Sequence, residues 1–349
     1  MRGGAALLPI LERRLHFRRR LSRRNGAYRR GRTLLAGEWN SRRMTGNNRA
    51  STDMTLRRDI IRRFNVHRQG RGERVVVLAH GFGCDQHVWA RLAAELVPDF
   101  RVVLFDHVGS GRTDIAAYDP RRYGSLQGYA DDVVEMLEGL DLKGVTFVGH
   151  SVSSMIGMLA AIARPALFER LVMIAPSARY LDDVGYRGGW SPGQLADLFK
   201  LMETQPAQWA RTLSELAVDP DHPASRRELE HLFSMTRPSI VRHFAEVTLR
   251  ADCRGSLGLC TTPTLILECR DDPVAPEGVA AFVADHLQAA TLVRLSGRGH
   301  CPHLTAAAEL AARIRQFAMA PPSSPGVATP GTTGTAVQTA RARPGPHRA

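Results

Sequence analysis

Residues 145–157 read Val145-Thr146-Phe147-Val148-Gly149-His150-Ser151-Val152-Ser153-Ser154-Met155-Ile156-Gly157, an apolar β-type run that breaks at Gly149 and resumes as a small-residue helix. A strand that turns at once into a helix sets the residue between them on a strained corner above a sheet, with the helix N-terminus beneath it. Ser151 is therefore the candidate nucleophile. The usual form of this corner, Gly-x-Ser-x-Gly, carries a second glycine two residues after the serine; here Ser153 fills that place.

A serine hydroxyl is a poor nucleophile until a base takes its proton, and the base needs a third group to hold its tautomer. In this strand-turn-helix setting the partners follow the serine in the order acid, then histidine. Residues 262–269 read as a buried strand and run into Arg270-Asp271-Asp272-Pro273-Val274-Ala275-Pro276, a polar loop with two carboxylates, either of which is also placed to cap the next helix. Residues 290–295 form another strand pattern ending in Ser296-Gly297-Arg298-Gly299-His300-Cys301-Pro302-His303. Glycines before a histidine let a loop fold over the sheet edge, so His300 is the candidate base. His303 reads as a loop histidine bonded to nearby backbone.

Attack on a carbonyl leaves an oxyanion that needs preorganised donors. One is the amide after the nucleophile, Val152; the other comes from the loop after an early strand. Residues 74–79 are such a strand, followed by His80-Gly81-Phe82-Gly83, which nominates the Phe82 amide.

With these segments in hand, the chain resembles the α/β-hydrolases, and within them the branch of RsbQ-like bacterial hydrolases and plant karrikin and strigolactone receptors. The resemblance runs over residues 58–319 and is carried by His80-Gly81-Phe82-Gly83-Cys84-Asp85-Gln86-His87-Val88-Trp89, Phe105-Asp106-His107-Val108-Gly109-Ser110-Gly111, the Ser151 segment, Tyr186-Arg187-Gly188-Gly189-Trp190 and Arg298-Gly299-His300-Cys301-Pro302-His303. It implies a mostly parallel central sheet flanked by helices, a four-helix lid inserted after the sixth strand, and a triad of Ser151, Asp272 and His300. The choice of Asp272 over Asp271 rests on this resemblance, through the spacing to Pro276. So do the functional expectations: a Ser-His-Asp hydrolase of a small, largely apolar ester or lactone, a stress-signalling regulator acting with a PAS-domain phosphatase, or a ligand-sensing receptor with slow or single-turnover hydrolysis. A carbon–carbon bond hydrolase is the further alternative.

About 85 residues separate the strand at 171–175 from the one at 262–269, far more than the ordinary loop of about 4–6 residues. Apolar residues at helical spacing fill them, as at Leu195, Leu198, Phe199 and Met202 and again at Leu229, Leu232 and Phe233. A lid is expected at about 180–255. Its aromatics Trp190, Phe199, Trp209, Phe233 and Phe244 are the candidate walls of an apolar, water-excluding pocket.

The net charge of +13 invites a nucleic-acid reading until it is located. Residues 1–57 hold fifteen arginines against three acids and residues 320–349 three arginines and no acid, which leaves 58–319 at about −2. No nucleic acid is expected on the folded core. The first 57 residues read as a disordered Arg-rich extension, a functional start at Met54 being one reading of it, and 320–349 as a disordered tail rich in Pro, Gly, Thr and Ala. No apolar run is long enough for a signal peptide or a membrane span. Five cysteines without a C-x-x-C pair point to neither a metal site nor a disulfide framework, so the expected compartment is the cytoplasm. Gly109-Ser110-Gly111 lacks the third glycine and acidic partner of a dinucleotide loop, and no cofactor is expected.

Overall fold

The structure, a computed structural model, describes residues 46–321, and for 46–53 the backbone alone. The Arg-rich extension up to residue 45 and the tail from 322 lie outside the described residues.

Helix α1 (Gly46–Arg63) leads into a short edge strand, β1 (His67–Gln69). The expected boundary at 57/58 falls inside this helix. It packs on the domain through Ile60, and the turn that follows it through Phe64, both buried, which spacing alone does not reveal in so basic a stretch. β1 pairs antiparallel with β3 (Arg101–Phe105), and all other pairings are parallel, among them β2 (Val75–Ala79), β4 (Val145–His150), β5 (Phe168–Ile174), β6 (Thr264–Arg270) and β7 (Ala290–Arg298). The strand order is β1-β3-β2-β4-β5-β6-β7, which puts β4 at the centre of seven strands. β4 is buried over its whole length, as expected of a parallel strand covered on both faces.

Side chains that alternate along the strands feed two cores. Val76, Leu78 and Val148 face one cluster with α2 (Ala90–Leu96) and α11 (Ala307–Met319); Val77, Ala79 and Phe147 face the other with α3 (Leu126–Gly139), α4 (Val152–Ala163) and α9 (Val279–His286). A fully buried Leu, Phe or Met in such clusters contributes roughly 1.5–3 kcal/mol each from removal of apolar surface from water. That two-sided packing makes the top of β4 a rigid platform.

The lid is made of α5 (Pro192–Thr204), α6 (Pro206–Ala217), α7 (Pro223–Ser234) and α8 (Pro238–Arg250), four helices between β5 and β6. It leaves the sheet after the fifth described strand, not the sixth, because β1 and β2 are the only described strands that precede β3. Each lid helix starts on proline, whose fixed φ and missing N–H suit the first helical position. Ser191 and Gln194 close a capping box on α5. A four-residue helix, α10 (Pro302–Thr305), follows β7.

Candidate active site

Ser151 stands between β4 and α4 at φ 56°, ψ −120°, a conformation an L-residue holds only where its surroundings force it. Its amide donates to the Ile174 carbonyl of the neighbouring strand at 2.8 Å. Gly149 makes the corner possible: a Cβ there would lie 2.3 Å from the Ser153 carbonyl oxygen.

His300 and Asp272 come from the loops after β7 and β6. His300 Nε2 lies 2.8 Å from Ser151 Oγ and its Nδ1 2.7 Å from Asp272 Oδ2, and all three residues are buried. The second Asp272 oxygen, Oδ1, accepts the amides of Val274 and Ala275 at 2.8 and 3.0 Å. The carboxylate thus caps its loop and faces the histidine at once. Asp271, the other carboxylate of the pair, points outward to Arg298 at 3.1 Å. With the carboxylate accepting from Nδ1–H, Nε2 is the free acceptor for the serine proton.

His150 donates from Nε2 to the His300 carbonyl at 2.8 Å, bracing the loop from behind. Complete burial holds its pKa well below the usual imidazole range, so it stays neutral. The His300 amide donates to the Ala217 carbonyl at the end of α6, 2.7 Å away, and Val218 bridges Gly299. The base is therefore tied to the lid.

Among the described residues neither the Phe82 amide nor the Val152 amide, the two expected oxyanion donors, donates to a protein acceptor. A Cβ on Gly81 would meet His150 Nδ1 at 2.5 Å, so only glycine lets this loop approach His150. Ser153 gains a meaning that the pentapeptide did not predict. Its Oγ donates to the His80 carbonyl at 2.5 Å and accepts from His107 Nε2 at 2.8 Å, while His80 Nε2 accepts the His107 amide at 3.1 Å. The hydroxyl pins the head of the His80–Gly83 loop to α4, where a glycine would leave it free.

An apolar cavity opens over Ser151. Of the five aromatics expected to wall it, Trp190 and Phe233 do. The other three pack between elements. Phe199 lies under the Arg242 guanidinium at 4.0 Å, Trp209 sits between Phe82 and Phe233, and Phe244 stacks on Tyr129 at 4.6 Å. Helix rotation decides which side of a lid helix faces inward, and residue type does not encode it. Phe82, Leu198, Leu213, Leu229, Leu249 and Val274 add to the apolar lining.

Two polar residues in this cavity escaped the sequence reading. Tyr180, in the crossover after β5, places its hydroxyl 2.9 Å from Ser151 Oγ. Burial pushes that phenol well above its usual range, so it is a neutral group. Because the serine proton is directed at His300, Tyr180 is the donor to Oγ. Thr248 on α8 is the second. His303, expected to bond backbone, instead makes no hydrogen bond from either ring nitrogen and is packed against Trp89 and His150. Among the described residues no cluster of His, Cys, Asp or Glu is arranged to hold a metal, and all five cysteines are buried free thiols.

A serine at a strand-to-helix corner of a flanked parallel sheet, facing a histidine–aspartate pair under a helical lid, defines the α/β-hydrolase class. The chain belongs to the alpha/beta hydrolase family, whose sequence profile matches residues 76–313, and is a hydrolase of that fold. It is 37% identical over 259 residues to strigolactone esterase D14 of Arabidopsis thaliana, covering 74% of this chain and 97% of that protein. With the karrikin insensitive 2 receptor CA of Petunia hybrida the identity is 38% over 244 residues, 69% of this chain and 90% of the relative. Among solved structures, a hydrolase from Oleispira antarctica superposes with a TM-score of 0.74 at 36% identity, covering 75% of this chain and 97% of that one. The receptor-like branch read from the sequence is thus the right one. No helix among the described residues is long and apolar enough to cross a membrane.

Proposed function

We propose that this protein hydrolyses a small, largely apolar ester or lactone through Ser151, His300 and Asp272. The observation that carries the reading is the continuous Ser151–His300–Asp272 hydrogen-bond relay, at 2.8 and 2.7 Å, opening into an apolar cavity under the lid. His300 takes the Ser151 proton as Oγ attacks the carbonyl carbon, and the oxyanion falls to the Phe82 and Val152 amides. His300⁺, steadied by Asp272, returns the proton to the leaving oxygen, and water repeats the sequence on the acyl-enzyme. Tyr180 donates to Ser151 Oγ, so a bound carbonyl has to displace its hydroxyl. The test is labelling with a serine-directed fluorophosphonate: one adduct per chain on Ser151, abolished in Ser151→Ala. An adduct on another residue removes Ser151 from the role.

A specific contact favours a second reading, in which hydrolysis reports ligand to a partner protein. The His300 amide is held by the lid carbonyl of Ala217, so a ligand that moves the lid also moves the base. The names of the relatives, one an esterase and one a receptor, support both readings. A PAS-domain phosphatase is the partner implied by the RsbQ-like resemblance. Intact-mass measurement after one equivalent of ester separates the two: an adduct on Ser151 or His300 that outlives many catalytic cycles favours sensing, and rapid multiple turnover favours the plain enzyme. Accumulation of a product from carbon–carbon cleavage would overturn the ester reading.

A further inference from the structure

The polar groups lining the cavity gather at its floor. Ser151, His300 and Tyr180 bond one another, and His150 braces the His300 carbonyl, its unpartnered Nδ1 facing the backbone of Gly81. Thr248 differs from all of these. It belongs to α8 of the lid, lines the cavity, is 2% exposed, and its Oγ1 has no hydrogen-bond partner. A mid-helix threonine ordinarily escapes this cost by bonding the carbonyl one turn back or by turning to water, and Thr248 does neither. Leu249 and Leu198 give it no alternative partner in the same cavity. A buried, unsatisfied hydroxyl destabilises a fold and calls for an explanation. Valine would fill the same volume without that cost.

We propose that Thr248 is the second polar anchor of the binding site: it donates a hydrogen bond to an acceptor oxygen, an ether or carbonyl, on the part of the ligand that lies under the lid. This rests on the hydrolase reading for the position of the scissile bond and deepens it. The preferred substrate is then an ester or lactone with two oxygen functions, one presented to Ser151 from the sheet side and one to Thr248 from the lid side. A simple alkyl ester of the same size leaves Thr248 unpaired and is the poorer ligand. The same discrimination operates wherever a buried polar group meets a ligand lacking its complement.

The experiment uses p-nitrophenyl heptanoate and a series of isosteres in which an ether oxygen replaces each chain methylene in turn, so that the oxygen walks along the cavity. In the wild-type chain one isostere is expected to exceed its positional isomers by about tenfold in kcat/KM. Thr248→Val removes that preference, Thr248→Ser restores most of it, and the empty Thr248→Val protein melts at a higher temperature than wild type. A flat ranking in wild type, or a preference that survives Thr248→Val, overturns the proposal. Dissociation constants of the same esters, read by quenching of Trp190 fluorescence in Ser151→Ala with and without Thr248→Val, keep the two readings apart. If the wild type turns over none of the esters, the hydrolase reading falls, while the binding ranking still decides for or against Thr248.

Discussion

Ser153 shows how one hydroxyl in place of a hydrogen alters a site. Its bonds to the His80 carbonyl and His107 Nε2 fix the loop that carries Phe82, the proposed oxyanion donor. Ser153→Ala leaves both partners buried and unpaired, at a cost of about 1–3 kcal/mol, and frees the loop. We expect kcat to fall about tenfold with KM little changed, because the Phe82 donor matters most in the transition state. Unchanged kcat in steady-state kinetics would exclude the role. The buried histidines give a second expectation. Burial first, with lesser electrostatic contributions from His300 and Arg91, pushes His303 down to about 3, and burial holds His107 and His150 well below the imidazole range. Their folded pKa values lie below the unfolded value, so the unfolded chain takes up protons first. The stability they permit is complete above about pH 6.5 and is lost as pH falls toward 3, by up to roughly 1.4 kcal/mol per pH unit for each histidine. His303→Phe should flatten the slope of urea-derived stability between pH 6 and pH 4 by about one proton. An identical slope would show that His303 protonates elsewhere than expected.

The identities of the sheet-borne residues could be read from sequence because each follows a strand in a fixed order; Ser151, Asp272 and His300 meet because the ends of β4, β6 and β7 do. Asp271 and Asp272 were inseparable by spacing alone, since only backbone direction sends one inward and the other to Arg298. The lid obeys different rules. Its existence followed from the length of the insertion, but Phe199, Trp209 and Phe244 turned away from the cavity, and Tyr180 and Thr248 entered it without a sequence signal. Helical spacing marks an apolar stripe and leaves undetermined which neighbour that stripe meets. The link between lid and base is an element-scale feature with its own test. Asp219, at the exit of α6, is 3.5 Å from Arg298, next to the Ala217–His300 bond. Asp219→Ala should lower kcat several-fold for the same KM and lower stability by about 1 kcal/mol. Equal losses in kcat for Asp219→Ala and for a variant of the more exposed Asp221 would show that the contact does not position His300.

For the whole molecule, the strong positive charge belongs to the ends of the sequence, and the folded domain carries little net charge. α1 joins the two regimes. Arg57 donates to the Leu140 carbonyl at 3.2 Å, Arg63 pairs with Asp132 and Glu135, and Ile60 and Phe64 are buried. A chain beginning at Met54 retains all of these and should melt within about 2 °C of the full chain. One beginning at Asn65 loses two buried apolar side chains, at roughly 1.5–3 kcal/mol each, and leaves Asp132 short of one cation. Its melting temperature should drop by 10 °C or more, on the scale of about 2–4 °C per kcal/mol for a domain of this size. Indistinguishable melting of the two truncations would mean that α1 is an ornament to the fold.

The prolines that open all four lid helices have a mechanical consequence. Proline at the first position forbids a helix from growing backward into the segment before it, and the residue preceding each proline is held out of the helical region. Gln205, His222 and Arg237 take up such non-helical angles. The lid is consequently a set of four bars whose N-terminal ends are pinned by sequence: no helix grows backward into the one before it without cost, so rotation at the three joints is the less costly way for the lid to move. Such an arrangement transmits movement over distance without melting. It also lets one bar be re-sequenced to suit a new ligand while the other three, and the sheet below, keep their fit.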